Sequence, residues 1–133
     1  MSVKRVSRWF VFLFLMVSAP VYAVPEIQHW VSPQGGRVYF VPTEGLPLLD
    51  VQVIFDAGSS RDGEQFGLAA LTSGMLDTGA GDWDADAIAQ RLEDVGASLN
   101  TGVSRDSAWL SLRSLTHPKK LAVALETARE ILA

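Results

Sequence analysis

The chain has 133 residues, of which 48% are hydrophobic and 20% charged, a balance that suits one globular domain at most. It contains no cysteine, which excludes a thiol nucleophile, a cysteine-ligated metal and a lipid-modified N-terminal cysteine. The net charge is −4, and this acidity argues against binding to nucleic acid or to an anionic membrane surface, because both need a basic patch.

Residues 1–23 have the three parts of a secretory signal peptide. These are a basic start, an apolar run and short residues before a cleavage site: Lys4, Arg5 and Arg8, then residues 9–17, then Val21, Tyr22 and Ala23. A membrane anchor is the alternative, but the apolar run falls short of the roughly 20 residues that a spanning helix needs. We predict cleavage after Ala23, which leaves a net charge of −7, and a periplasmic or secreted protein of a Gram-negative bacterium.

Three strands are predicted next. Residues 27–31 and 37–41 flank a turn signal rich in Pro and Gly, and residues 48–55 contain a β-branched run. A polar loop follows, in which Arg61 and Asp62 are expected to brace the entry to a helix. The alternative for these two residues is a pair of solvated charges.

The stretch 66–81 predicts a short helix with two different faces. Its apolar stripe, expected to pack on the core, consists of Leu68, Leu71 and Met75. Another face at helical spacing carries very small residues, which let a second backbone approach closely: Ala70, Ser73 and Gly74. The sequence Gly79-Ala80-Gly81 ends the helix.

The second half of the chain predicts a helix, a hairpin and a last helix. Asp84 is the expected N-cap of the first, Gly96 its C-cap, and its buried stripe is Ile88, Leu92 and Val95. Residues 97–103 and 107–115 predict the hairpin, and Pro118 begins the last helix. The predicted stripe of that helix is Leu121, Leu125, Ala128 and Leu132.

This order of elements predicts one α+β domain over residues 24–133. We expect an antiparallel or mixed β-sheet with helices packed on one face. The last helix reaches Ala133 without a capping residue, so we expect the chain to be incomplete at its C-terminus.

No residue pattern forms a self-sufficient catalytic or metal site. His29 and His117 lack a partner at ligand spacing, and a zinc site normally takes three protein ligands, so both are interpreted as surface histidines. The acidic run from Asp82 to Asp86 lacks the glycine and closing glutamate of a calcium loop, and helix capping explains it. The serines have no nearby histidine for a Ser-His-Asp site.

Six segments follow one another in a characteristic order. They are residues 50–59 (DVQVIFDAGS), Gly67-Leu68-Ala69, Met75-Leu76, residues 88–100 (IAQRLEDVGASLN), Ser104-Arg105-Asp106 and residues 121–132. Together they resemble the N-terminal domain of the insulinase/pitrilysin family of zinc peptidases. The resemblance covers nearly all of residues 24–133 and implies the insulinase-family, LuxS-like metallohydrolase fold.

The resemblance also implies that this chain is a degenerate member. In the family, H-x-x-E-H follows Gly-Leu-Ala directly; its histidines bind zinc and its glutamate activates water. The matching positions are Ala70 and Gly74 for the histidines and Ser73 for the glutamate, and the third ligand falls beyond Ala133. The resemblance therefore implies no catalytic residue, no metal ligand and no activity of this chain alone, with zinc only in a partner subunit.

Some degenerate members of the family pair with an active subunit that carries H-x-x-E-H, and other silent relatives are structural core subunits of respiratory complexes. The resemblance thus implies an exported, catalytically silent homologue that helps such a subunit to bind or process extended peptides. The segment resembling the strand to which family substrates add is Ala97, Ser98, Leu99 and Asn100. The alternatives are a structural or binding module, or a truncated fragment, without a peptidase partner. Neither nucleic acid nor a membrane span after signal cleavage is expected.

Overall fold

The computed structural model describes residues 25–133. The predicted signal peptide, residues 1–23 with cleavage after Ala23, lies outside the described residues. Within them, no helix combines the length and the apolar character needed to cross a membrane. The chain divides into two compact units, one ending at Gly45 and the other comprising Leu46–Ala133.

The first unit contains the predicted N-terminal hairpin. Strands β1 (Gln28–Val31) and β2 (Arg37–Phe40) pair in antiparallel register, with His29 opposite Tyr39. The turn is closed by Ser32, whose hydroxyl accepts a hydrogen bond from the Gly36 amide at 3.0 Å, and both strands are mostly exposed. Both predicted strands are thus present, each one residue shorter than expected.

The second unit is built on a three-stranded antiparallel sheet. In chain order its elements are β3 (Leu48–Phe55), a 3-10 turn (Ser59–Arg61), α1 (Leu68–Met75), β4 (Gly79–Ala80), β5 (Trp83–Asp84), α2 (Ala85–Val95), β6 (Ser98–Val103), β7 (Ala108–Leu115) and α3 (Pro118–Ile131). The strand order is β3-β7-β6, and β4 pairs with β5 in a separate short ribbon.

All three helices lie on one face of this sheet. Leu110 and Leu112 of β7 are almost fully buried, and they form one core cluster with residues of α2 and α3. Thr101 is the register partner of Leu110, so its side chain shares that face, and its hydroxyl hydrogen-bonds to α1. The predicted α+β fold with helices on one face is confirmed.

The opposite face of the sheet is open and polar. Asp50 of β3 lies opposite Arg113 of β7, and two hydrogen bonds of 2.6 and 2.9 Å join the carboxylate to the guanidinium. The Arg113 side chain lowers the pKa of the Asp50 carboxyl through these hydrogen bonds. Further along the same face, Gly102 lies beneath the ring of its register partner Trp109, where a Cβ atom would collide with the indole.

Helix α2 forms as its sequence predicts. The Asp84 carboxylate accepts a hydrogen bond from the Ala87 amide at 2.9 Å, which caps the first turn. Gly96 adopts the left-handed conformation with φ 68° and ends the helix. The predicted stripe of Ile88, Leu92 and Val95 is buried.

The predicted buried stripe of α3 is wrong in two of its four residues. Ala128 is buried and Leu121 is half-buried, but Leu125 and Leu132 are 42% and 39% exposed. The buried face instead consists of Ala124, Thr127, Ala128 and Ile131. The small residues of this face allow α3 to approach α2 and β7 closely, which outweighs the burial that Leu125 and Leu132 would gain.

The polar atoms at the α2–α3 contact are satisfied by Arg91. Its guanidinium lies 3.9 Å from the centroid of the Trp83 ring and donates hydrogen bonds to Glu126 at 3.0 Å and to Thr127 at 3.3 Å. The Thr127 hydroxyl in turn donates to the Val123 carbonyl at 2.8 Å. One side chain therefore joins the β5 ribbon, α2 and α3.

We expect Arg91→Ala to lower the free energy of unfolding by about 1–3 kcal/mol, because a cation–π contact and two charge-assisted hydrogen bonds are lost together. Urea denaturation followed by circular dichroism measures the change. The control is Arg129→Ala, which removes an exposed ion pair with Glu130 and is expected to change stability by less than about 0.5 kcal/mol. Equal losses of stability in the two variants would contradict the stabilising role of Arg91.

Candidate functional site

The entry to α1 is held by a carboxylate from outside the helix. Asp62 is only 8% exposed, and its two oxygens accept hydrogen bonds from the amides of Gly67 at 2.8 Å and Ala69 at 2.9 Å. Gly67 has a φ of 91°, so the helix has no conventional side-chain N-cap. Asp62 satisfies amides that a cap residue would otherwise bind. The predicted bracing role of Asp62 is confirmed, while Arg61 forms an exposed ion pair with Asp56.

The loop before α1 is fastened to the turn between β6 and β7. The amides of Ser59 and Ser60 donate hydrogen bonds to the carbonyls of Ser104 at 3.0 Å and Arg105 at 2.8 Å. A Cβ atom on Gly58 would collide with the Arg105 carbonyl, so this close approach requires glycine. The two segments thereby fix the position at which α1 starts.

The predicted packing stripe of α1 is wrong. Leu68, Leu71 and Met75 are 45%, 63% and 56% exposed. The helix turns a different face inward, on which Ala69 and Leu76 are half-buried and Ser73 is 6% exposed. Short side chains at the first and last turn allow the helix backbone to approach β6, and this contact decides its orientation.

Helix α1 lies close enough to the sheet for a direct hydrogen bond. The Thr101 hydroxyl of β6 donates to the backbone carbonyl of Ser73 at 2.8 Å. The three positions matched to H-x-x-E-H therefore lie beside β6, with Ser73 buried and with Ala70 and Gly74 exposed. The predicted small-residue face is therefore divided: Ala70 and Gly74 are exposed, whereas Ser73 packs against β6.

The residues at these positions do not fit a zinc ion. Alanine and glycine offer no side-chain ligand atom, and a neutral serine hydroxyl is a poor base for metal-bound water. Within residues 25–133, no group of three or more His, Asp or Glu side chains is arranged to hold a metal. His29 lies exposed in the hairpin unit, and His117 lies exposed immediately before α3. No chemical step through zinc is derived for this chain.

Strand β6 is an edge strand of the described sheet, since β7 is its one partner there. The Ser104 amide donates to the Ser107 carbonyl at 2.7 Å, which identifies this pair as hydrogen-bonded. Hydrogen-bonded pairs alternate along an antiparallel ladder, so Leu99, Thr101 and Val103 direct their backbone N–H and C=O groups to the open edge. The predicted peptide-binding segment overlaps this edge from Ser98 to Asn100, and Ala97 precedes the strand. Its binding role stays a prediction.

An open pocket of about 230 Å³ lies beside α1. Its walls come from the end of β3, the loop after it, α1 and the start of β7. The lining residues are Phe55, Ala57, Gly58, Arg61, Asp62, Leu68, Ala69, Thr72, Ser73, Leu76, Ala108 and Trp109. The sequence gives no sign of this pocket, because its residues come from four separate segments.

The outer face of α1 is an exposed apolar surface in an acidic setting. Phe66, just before the helix, is 93% exposed and adds to Leu68, Leu71 and Met75; we call these four residues the α1 stripe. Between Arg61 and Arg91 the sequence has six acidic residues and no basic one. Several large apolar side chains exposed on one short segment are typical of interaction sites.

Solved structures resemble this fold, and the two that follow are among them. The peptidase M16 inactive domain from Pseudomonas fluorescens is 41% identical, and the match covers 81% of this chain and 26% of that chain with a TM-score of 0.79. A protease from Helicobacter pylori is 19% identical over 81% of this chain and 26% of that chain, with a TM-score of 0.69, which shows a shared fold. This chain thus spans about a quarter of each neighbour's length. No family model matches the sequence, and no curated protein matches it.

We expect Asp62→Ala to destabilise the protein by about 1–3 kcal/mol, because the amides of Gly67 and Ala69 lose their acceptor at the start of α1. Chemical denaturation gives the magnitude, and amide hydrogen exchange of these two residues shows whether the loss is local. Asp106→Ala is the control, since that exposed carboxylate has one long contact, 3.5 Å, with Ser60. Unchanged protection of the Gly67 and Ala69 amides in Asp62→Ala would refute the capping role.

Proposed function

Because the chain carries a domain of the insulinase family, the M16 peptidases, and is similar to one named as inactive, we propose that it is the non-catalytic partner of an active zinc peptidase. In this role it completes a chamber that binds extended peptides, while zinc and the water-activating glutamate belong to the partner. The observation that carries the proposal is the absence of ligand atoms at Ala70 and Gly74 on a helix that is otherwise well formed.

The open edge of β6 supports the peptide-binding half of the proposal. An extended peptide adds to such an edge through main-chain hydrogen bonds, and Leu99 and Thr101 direct unpaired backbone groups outward there. The edge lies against α1 through the Thr101–Ser73 hydrogen bond, so a bound peptide would pass close to the exposed Ala70 and Gly74. Such small residues leave room for its backbone.

The α1 stripe supports the partner half of the proposal. Its four large side chains remain in water in the described unit, which costs free energy unless another surface covers them. The partner surface expected to pack on the α1 stripe is apolar with basic residues at its margin. Basic residues there would complement the acidic segment around α1, which has no basic residue of its own. The proposed compartment, the periplasm or the extracellular medium, follows from residues 1–23 alone.

The first experiment co-expresses the chain with an insulinase-family homologue from the same genome that carries H-x-x-E-H. We expect the cleavage rate of an extended fluorogenic peptide to rise when both chains are present. Identical rates with and without this chain would favour the alternative, a structural or binding module without a peptidase partner.

A single substitution in β6 tests the peptide edge within that complex. Leu99→Pro removes an amide that faces the open edge and no hydrogen bond to β7, so we expect kcat/KM to fall about tenfold. Leu99→Ala is the matched control: it loses the same packing against the core but keeps the amide, and it should stay close to wild type. A loss of equal size in both variants would show that packing, and not the edge amide, matters.

We also expect the purified chain to hold far less than one zinc ion per molecule after dialysis against micromolar zinc. Elemental analysis by mass spectrometry measures the ratio. If one zinc ion per molecule remains after dialysis, the interpretation that Ala70, Ser73 and Gly74 cannot hold zinc is wrong, whatever the result of the co-expression experiment.

A further inference from the structure

The α1 stripe contains the single sulfur atom of residues 25–133. The sequence has no cysteine and three methionines, of which Met1 and Met16 lie before this range, so Met75 is alone within it. Met75 is 56% exposed. The reaction of a thioether with a small oxidant depends on access to the sulfur, so mild oxidation within residues 25–133 concentrates on Met75.

Met75 forms the C-terminal end of the α1 stripe. It is the last residue of α1 and lies one helical turn after Leu71, which is 63% exposed, while Leu71 lies one turn after Leu68. The unbranched thioether side chain of methionine adapts its shape to other apolar surfaces. A change of polarity at this sulfur therefore changes the surface that a docking partner would cover.

The fold does not depend on the Met75 side chain. Met75 belongs neither to the buried core cluster nor to the half-buried residues packed against it, which include its neighbour Leu76. Its backbone carbonyl accepts hydrogen bonds from the amide and the hydroxyl of Thr78 at 3.2 and 2.8 Å. The end of α1 is thus held through backbone atoms, and a modified Met75 side chain leaves the helix end and the core intact.

We propose that Met75 is an oxidation site that controls whether the α1 stripe binds another apolar surface, with hydrogen peroxide as the oxidant. The sulfur lone pair attacks one peroxide oxygen, the O–O bond breaks, and the departing hydroxide takes the proton of the transferred oxygen and leaves as water. Sulfur loses two electrons, peroxide gains two, and the product is methionine sulfoxide.

The sulfoxide weakens docking because a covered S=O group loses its hydration. The effect on a peptidase partner rests on the proposed function, whereas the oxidation and its effect on the polarity of the α1 stripe belong to this chain alone. Oxidation acts on the free chain, since a docked partner would cover Met75.

The first test treats the purified protein with hydrogen peroxide and locates the added oxygen by peptide mass spectrometry. We expect sulfoxide at Met75, earlier elution from a phenyl column in ammonium sulfate, and an unchanged urea denaturation curve. Met75→Leu keeps an apolar side chain without sulfur, so peroxide should not change its elution, and Met75→Gln should elute early without peroxide. Absence of sulfoxide at Met75, or unchanged elution of the oxidised wild type, would overturn the proposal.

The second test measures binding to the active homologue by calorimetry, after the peroxide has been removed. We expect oxidised wild type and Met75→Gln to bind about tenfold more weakly than untreated wild type, and peroxide to leave the affinity of Met75→Leu unchanged. Equal affinity of oxidised and untreated wild type would overturn this inference and leave the proposed partnership standing. If the homologue binds neither form, the proposed function fails, and the phenyl column still decides whether Met75 controls the α1 stripe.

Discussion

The second unit depends on strand β7. It is the central strand of the described sheet, so its odd-numbered residues bond to β6 and its even-numbered residues to β3. Its inward side chains, Leu110 and Leu112, are the most buried large residues and lie under α2 and α3. Strand β7 pairs with both other strands and packs against α2 and α3. Its alternation of apolar and polar residues therefore determines which face of the sheet the helices cover.

Those parts of the fold that carry their own local signals could be predicted from the sequence. Strand β3 has the predicted bounds, and α2 has its Asp84 cap, its Gly96 stop and its buried stripe, because caps and glycine conformations act within a few residues. The orientations of α1 and α3 could not be predicted. In both helices, small residues face inward and leucines face outward, since close approach between backbones depends on neighbours that are distant in sequence.

The same division holds for the candidate site. That Ala70 and Gly74 cannot bind zinc follows from their chemistry, and the resemblance to the insulinase family supplied the place where ligands are missing. The burial of Ser73, its hydrogen bond to Thr101 and the pocket beside it needed the structure, because each depends on contacts between separate segments; Ser73 and Thr101 are 28 residues apart. Ala70 and Gly74 are exposed and outside the core, so the fold keeps its packing without the metal ligands.

The α1 stripe has a consequence for how this domain behaves in solution on its own. Its exposed side chains attract those of other copies, while the surplus of carboxylates keeps the copies apart at neutral pH and low ionic strength. Salt shortens the range of that repulsion to about 8 Å at physiological strength, and sulfate also strengthens apolar contacts. Colloidal stability of the isolated domain therefore rests on its acidic residues, and crystallisation from sulfate would favour lattices in which two such helices face each other.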